Sequence, residues 1–136
     1  MENYRTVRNF RTKIANVNGT KILDVAGSVT AVCDVNPETR TMRVGFSFLN
    51  PTDHQLMVRG KGLATKRLIR SPITITGLEP APNGKLKVTE ALITYLQQTG
   101  KQPVEEMPRL LGAAPYRGKP EKCQFPKWFP SLVSAL

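Results

Sequence analysis

The sequence predicts an α+β domain: several antiparallel strands, then one good helix, then an irregular proline-rich arm. Three observations carry this. Residues 40–49 alternate, with Met42, Val44, Phe46 and Phe48 on one side and Thr41, Arg43, Gly45 and Ser47 on the other, the pattern of a half-buried antiparallel strand. Residues 87–98 place Val88, Leu92, Tyr95 and Leu96, with Ala91, on one helical stripe, and Gly100 comes next as a C-terminal cap. Six of the 34 residues from Pro103 onward are proline, which forbids long helices and central strands there.

At the N-terminus, Arg5, Arg8, Arg11 and Lys13 alternate with Tyr4, Val7 and Phe10. Gly19 and the β-branched residues after it favour an extended basic arm, either solvated or stacking Tyr4 or Phe10 on bases. Asn18-Gly19 is a tight-turn signal, so residues 13–17 and 20–26 read as a hairpin. Gly27 reads as a bulge or bend before residues 28–35, where Val29, Ala31, Cys33 and Val35 share a face. Asn36-Pro37-Glu38-Thr39 is a turn into the strand at 40–49. Asn50-Pro51-Thr52-Asp53 ends that strand, with Asp53 capping the next turn or short helix. Residues 63–70 read either as a short helix, with Ala64 and Leu68 on one side, or as an extended continuation of the sheet edge. Pro72 stops them. Residues 73–76 are a last strand, and Thr89 is the candidate N-cap of the helix. The organisation is a basic arm (1–10), a domain (11–100) and an extension (101–136). The extension is too apolar for a disordered linker. It packs on the domain or a dimer partner, anchored by Phe125-Pro126-Lys127-Trp128-Phe129, or else docks a partner protein. One helix cannot cover both faces of a four-stranded sheet. The second face therefore binds a ligand or is covered by oligomerisation, and the short chain favours a homodimer through sheet edges or helices.

Twenty Lys/Arg against ten Asp/Glu give a net charge of +10 over 136 residues, an excess suited to nucleic acid or an anionic membrane. The apolar runs are far too short for a spanning helix, and the N-terminus is not a signal peptide. Cys33 and Cys123, with the single His54, make no zinc site; free thiols in a reducing compartment are expected. His54 beside Asp53 offers little for acid–base catalysis, so neither an enzyme nor a cofactor is expected. The charge concentrates in Met57–Pro72, which holds Arg59, Lys61, Lys66, Arg67 and Arg70, inside residues 54–78 with no Asp or Glu. Gly60 and Gly62 let a backbone approach phosphate oxygens. Arg supplies bidentate forks and Lys mobile point charges. Such contacts hold a phosphate backbone without reading bases. Walker A spacing is absent. Arg43, among small polar neighbours, makes its sheet face either a bed for a single strand or an ordinary solvated face.

Residues 45–54 (Gly-Phe-Ser-Phe-Leu-Asn-Pro-Thr-Asp-His) and 60–68 (Gly-Lys-Gly-Leu-Ala-Thr-Lys-Arg-Leu) resemble the PC4-like single-stranded DNA-binding proteins, especially those of tailed bacteriophages; Whirly proteins are broader relatives. The resemblance covers about residues 11–99. It implies a strongly curved four-stranded antiparallel sheet followed by one long helix, with two subunits paired through their helices. It also implies DNA contacts at Lys61 and Arg67, and by proximity at Arg59, Lys66 and Arg70; Arg43, Arg11, Lys13 and Phe10 are further candidates from the strand and the arm. The expected function is non-catalytic, largely sequence-independent single-stranded DNA binding in replication, recombination or transcription, in a bacterial host cytoplasm. RNA is the alternative nucleic acid, and a replication or recombination protein is the expected partner of the C-terminal arm. The other class is a viral capsid or nucleocapsid subunit.

Overall fold

The computed structural model describes residues 2–13, 25–49, 57–103, 105–112, 129–134 and 136. Four strands, β1 (Tyr4–Lys13), β2 (Val25–Asn36), β3 (Thr41–Leu49) and β4 (Ile73–Ile75), form one antiparallel sheet in the order β1-β2-β3-β4. The register runs Tyr4↔Val35 to Phe10↔Val29 in the first pair, Ser28↔Leu49 to Asn36↔Thr41 in the second, and Met42↔Ile75 to Val44↔Ile73 in the third. Asn36 closes the β2–β3 turn by accepting the backbone N–H groups of Glu38 and Thr39 on its side-chain oxygen.

Period-two alternation sorts the sheet into two faces. On the first, Phe10, Val29, Ala31, Cys33, Val35, Met42, Val44 and Phe46 are buried. Three helices cover this face: α2 (Val88–Gly100), α3 (Met107–Leu110) and α4 (Phe129–Ser134). Leu92 and Leu96 of α2, Met107 of α3, and Phe129, Leu132 and Val133 of α4 complete the core. Phe46 stacks on Tyr95 at 6.0 Å between ring centroids, and Phe48 meets Phe129 edge-on at 5.7 Å. Arg8 ties β1 to the start of α2 by donating to the Thr89 hydroxyl at 3.0 Å. Burial pushes the Cys33 thiol up to about 12, so it stays protonated, as expected of a packed cysteine.

On the second face, residues 63–70 take the helical one of their two expected forms, with Ala64 and Leu68 buried on the same side. They belong to a further helix, α1 (Met57–Arg70), which lies between β3 and β4 in sequence and packs across β2 and β3. The expected architecture was a curved sheet followed by one long helix. The four-stranded antiparallel sheet is present, but it is open and not curved, and helices flank it on both sides. With α1 in place the second face is covered over Thr30, Val32, Gly45 and Ser47.

Several expectations for single elements need smaller corrections. The expected basic arm is β1, paired with β2 along its length. Residues 28–35 belong to a longer strand, Val25–Asn36, and the expected irregularity at Gly27 is present: the register with β1 shifts between Arg11↔Ser28 and Lys13↔Val25. The hairpin turn at Asn18-Gly19, the cap at Asp53 and residues 125–128 of the anchor lie outside the described residues. Lys87, not Thr89, sits at the N-cap of α2, with no side-chain cap bond. Gly100 is the last residue of α2, not a cap beyond it. A Cβ at Gly100 would lie 2.5 Å from Val133, so its small size serves the packing of α4. The proline-rich tail contributes the two short helices α3 and α4.

Candidate functional site

The basic run forms α1, and two different kinds of residue make its two sides. Toward the sheet it presents Gly60, Ala64 and Leu68, spaced four apart so that they share a side. Beneath them lie Thr30, Val32, Gly45 and Ser47. These are small, so the helix backbone comes close. A Cβ built on Gly45 would lie 2.0 Å from the Ala64 carbonyl oxygen and 2.4 Å from the Leu68 nitrogen. Ser47 Oγ donates to the Gly60 carbonyl at 2.6 Å. Next to it, Thr30 donates to the Asn9 side-chain oxygen at 2.8 Å, so hydroxyls enclosed between helix and sheet keep partners.

Arg67 is also committed to the fold. Its Nη1 donates to the Phe46 carbonyl at 2.8 Å, and its guanidinium sits 5.8 Å from the centre of the Phe48 ring, within cation–π range. β4 pairs only with Met42–Val44; beyond Val44 no described strand borders that edge of β3, and Arg67 supplies a donor. Burial lowers the Arg67 pKa from its ordinary value, yet the guanidinium stays charged.

The solvent side of α1 is different. Lys61, Lys66 and Arg70 are exposed, together with Gly62, Leu63 and Ile69; Ile69 is 70% exposed. No acidic residue occurs anywhere in the helix. Lys66 and Arg70 are four apart and share one flank with Leu63. Three of the sequence candidates are thus exposed, Lys66 and Arg70 on one flank of the helix and Lys61 roughly half a turn round from Arg70, while Arg67 faces the sheet. Phe10 is buried in the core on the opposite face, where no base can stack on it. Arg59 lies in the first turn of α1 and Arg11 and Lys13 at the end of β1; their side chains lie outside the described residues. Arg43 is exposed on the α1 side of the sheet, beyond the end of the helix.

The two glycines of the run have separate roles. Gly60 faces Thr30 and Ser47, 3.2 and 3.4 Å from where its Cβ would be; it is a packing glycine, contrary to the role in phosphate approach expected of it. Gly62 has nothing within 4 Å of that position. Gly62→Ala is expected to raise stability by about 1 kcal/mol, the difference in helix propensity, read as a higher melting temperature. A lower melting temperature would mean that the outer side of α1 is packed against something.

Arg5 was absent from the sequence candidates. It lies on the same face as Arg43 and donates to Asp34 at 2.7 and 3.1 Å. That hydrogen bond, with Arg43 assisting, holds the Asp34 carboxyl below its usual range. Recognising residues 4–10 as a strand, with Arg5, Val7 and Asn9 on one side, would have placed Arg5 there. Comparison of the chain with known protein families, with characterised proteins and with solved structures gave no match. Among the described residues no helix is long and apolar enough to cross a membrane.

Proposed function

We propose that this chain is a non-catalytic, largely sequence-independent single-stranded nucleic-acid-binding protein, with single-stranded DNA as the first ligand to test. The observation that carries this reading is the solvent side of α1: Lys61, Lys66 and Arg70 exposed on a helix without an acid, in a chain of net charge +10. The contacts expected are to phosphates, which position a strand and carry no sequence information. Exposed Leu63 and Ile69 add apolar surface beside the charges for the faces of unstacked bases. Duplex DNA lacks such free base faces, so a single strand gains more from this mixed surface. The site proposed is the helix and not the sheet beneath it, because α1 covers that part of the sheet.

Fluorescence polarisation with labelled single-stranded DNA, RNA and duplex tests this. The triple variant Lys61→Ala, Lys66→Ala, Arg70→Ala is expected to lose at least roughly tenfold in single-strand affinity and to flatten the slope of log K against log salt by about 2, at about 0.7 per phosphate contact. Its melting temperature should be unchanged, since all three side chains are in solvent. Duplex binding as tight as single-strand binding at about 0.15 M salt, or a triple variant with unchanged affinity, would overturn the reading.

A further inference from the structure

The helix α1 covers only part of the polar sheet face. Its C-terminal half sits over Gly45, where the Ala64 and Leu68 backbone makes the closest approach. The chain then turns through Ser71 and Pro72 into β4, whose Thr74 pairs with Arg43. Arg43 is two residues from Gly45 on the same face, about 7 Å farther along the strand. At that level the register aligns Arg5, Asp34, Arg43 and Thr74 across all four strands. One step farther out, Asn36 pairs with Thr41. Asn3, Arg5, Asp34, Asn36, Thr41 and Arg43 line a shallow depression of about 470 Å³, and among the described residues no helix lines it.

The chemistry of this floor is mixed. Asp34 is tied to Arg5 through both carboxylate oxygens, so one acid and one base largely neutralise each other. Arg43 keeps its side chain in solvent and is the excess cation of the row. Asn3, Asn36 and Thr41 add amide and hydroxyl groups, which match base edges and sugar oxygens better than they match a bare anion. The exposed cations of α1 run from Lys61 to Arg70, about 14 Å of helix, enough for only a few nucleotides. A longer strand following α1 toward its C-terminal end meets Arg43 next.

We propose that the uncovered end of the polar sheet face, floored by Arg5, Asp34 and Arg43, continues the nucleic-acid path beyond α1 and takes the part of a single strand that has left the helix. This rests on the reading of α1 as the primary contact. Arg43 supplies a phosphate contact and the Asn and Thr groups a sequence-tolerant seat for one base.

The test is the length dependence of binding. Labelled oligo-dT of about 4 and about 12 nucleotides, within the range of known single-strand sites, is titrated against wild type, Arg43→Ala, Arg43→Lys and the α1 triple variant. Arg43→Ala is expected to lose about fivefold or more in affinity for the long oligonucleotide and about 0.7 in salt slope, with no change for the short one. Arg43→Lys should recover most of the loss, and the α1 triple variant should weaken both lengths. Arg43→Ala binding the long strand as wild type does, or weakening both lengths equally, overturns the extended path and leaves the α1 reading standing. Polyglutamate competing with the long strand as well as unlabelled oligo-dT does also overturns it, because charge alone would then explain the surface. A wild-type protein that binds neither length overturns the α1 reading, and the extension with it.

Discussion

Gly45→Ala is expected to destabilise the protein by about 3 kcal/mol, at the upper end for overpacking. The new methyl has nowhere to go. Its position lies 2.0 Å from the Ala64 carbonyl oxygen and 2.4 Å from the Leu68 nitrogen, and both are backbone atoms of a helix. No rotamer change relieves the clash, so α1 must lift as a body or β3 must bend. Either movement strains the bonds from Ser47 to the Gly60 carbonyl and from Arg67 to the Phe46 carbonyl. In a chain of this size the loss should appear as a melting temperature lower by roughly 10 °C. Because α1 carries the proposed contacts, the variant should also bind single strands less tightly. Melting within about 2 °C of wild type would show that α1 is not seated on β3 as described.

Phe46→Ala is expected to cost about 3–5 kcal/mol, the range for truncating a buried aromatic. Phe46 is fully buried on the other face of the same strand, stacked on Tyr95. Removing it opens a cavity between β3 and α2 that the neighbouring Met42, Val44 and Leu92 can fill only in part. For a domain whose total stability is of order 5–15 kcal/mol, this removes a large fraction. Urea denaturation should show a lower midpoint with an unchanged slope. Phe46→Leu keeps most of the volume and should cost much less. A Phe46→Ala variant within about 1 kcal/mol of wild type would contradict the packing of α2 on this face.

Parts of this fold were legible in the sequence because they obey one period without interruption. The residues of β3 alternate large and small, those of α2 repeat at helical spacing, and both elements appear within a residue or two of where they were expected. The β1 strand was harder, because its cations made an edge strand look like a solvated arm. The helix at 63–70, with Ala64 and Leu68 on one side, was legible as one of two forms; its extent and the depth of its seat were not. Among its described residues the buried side is Gly60, Ala64 and Leu68 with half-buried Arg67, so a hydrophobicity pattern sees little to bury. Tight packing of small residues leaves almost no periodic signal, and its counterpart, Gly45, looks like a neutral choice until a helix is laid over it. Arg67 entered the expected phosphate contacts through its place in the basic run and through the resemblance. Its acceptor is a main-chain oxygen 21 residues earlier, which side-chain patterns do not reveal. The exposure of Lys61, Lys66 and Arg70 was legible because long charged side chains seldom bury.

The position of β1 at the end of the strand order bears on how the molecule behaves among its own copies. A ten-residue border strand is a template on which another chain can crystallise its own strand, the usual start of sheet-to-sheet aggregation. The sequence of β1 has four basic residues and no acid, so two such borders brought together would repel. Charge of one sign along that border would oppose its pairing with a second copy, an effect that needs no ligand.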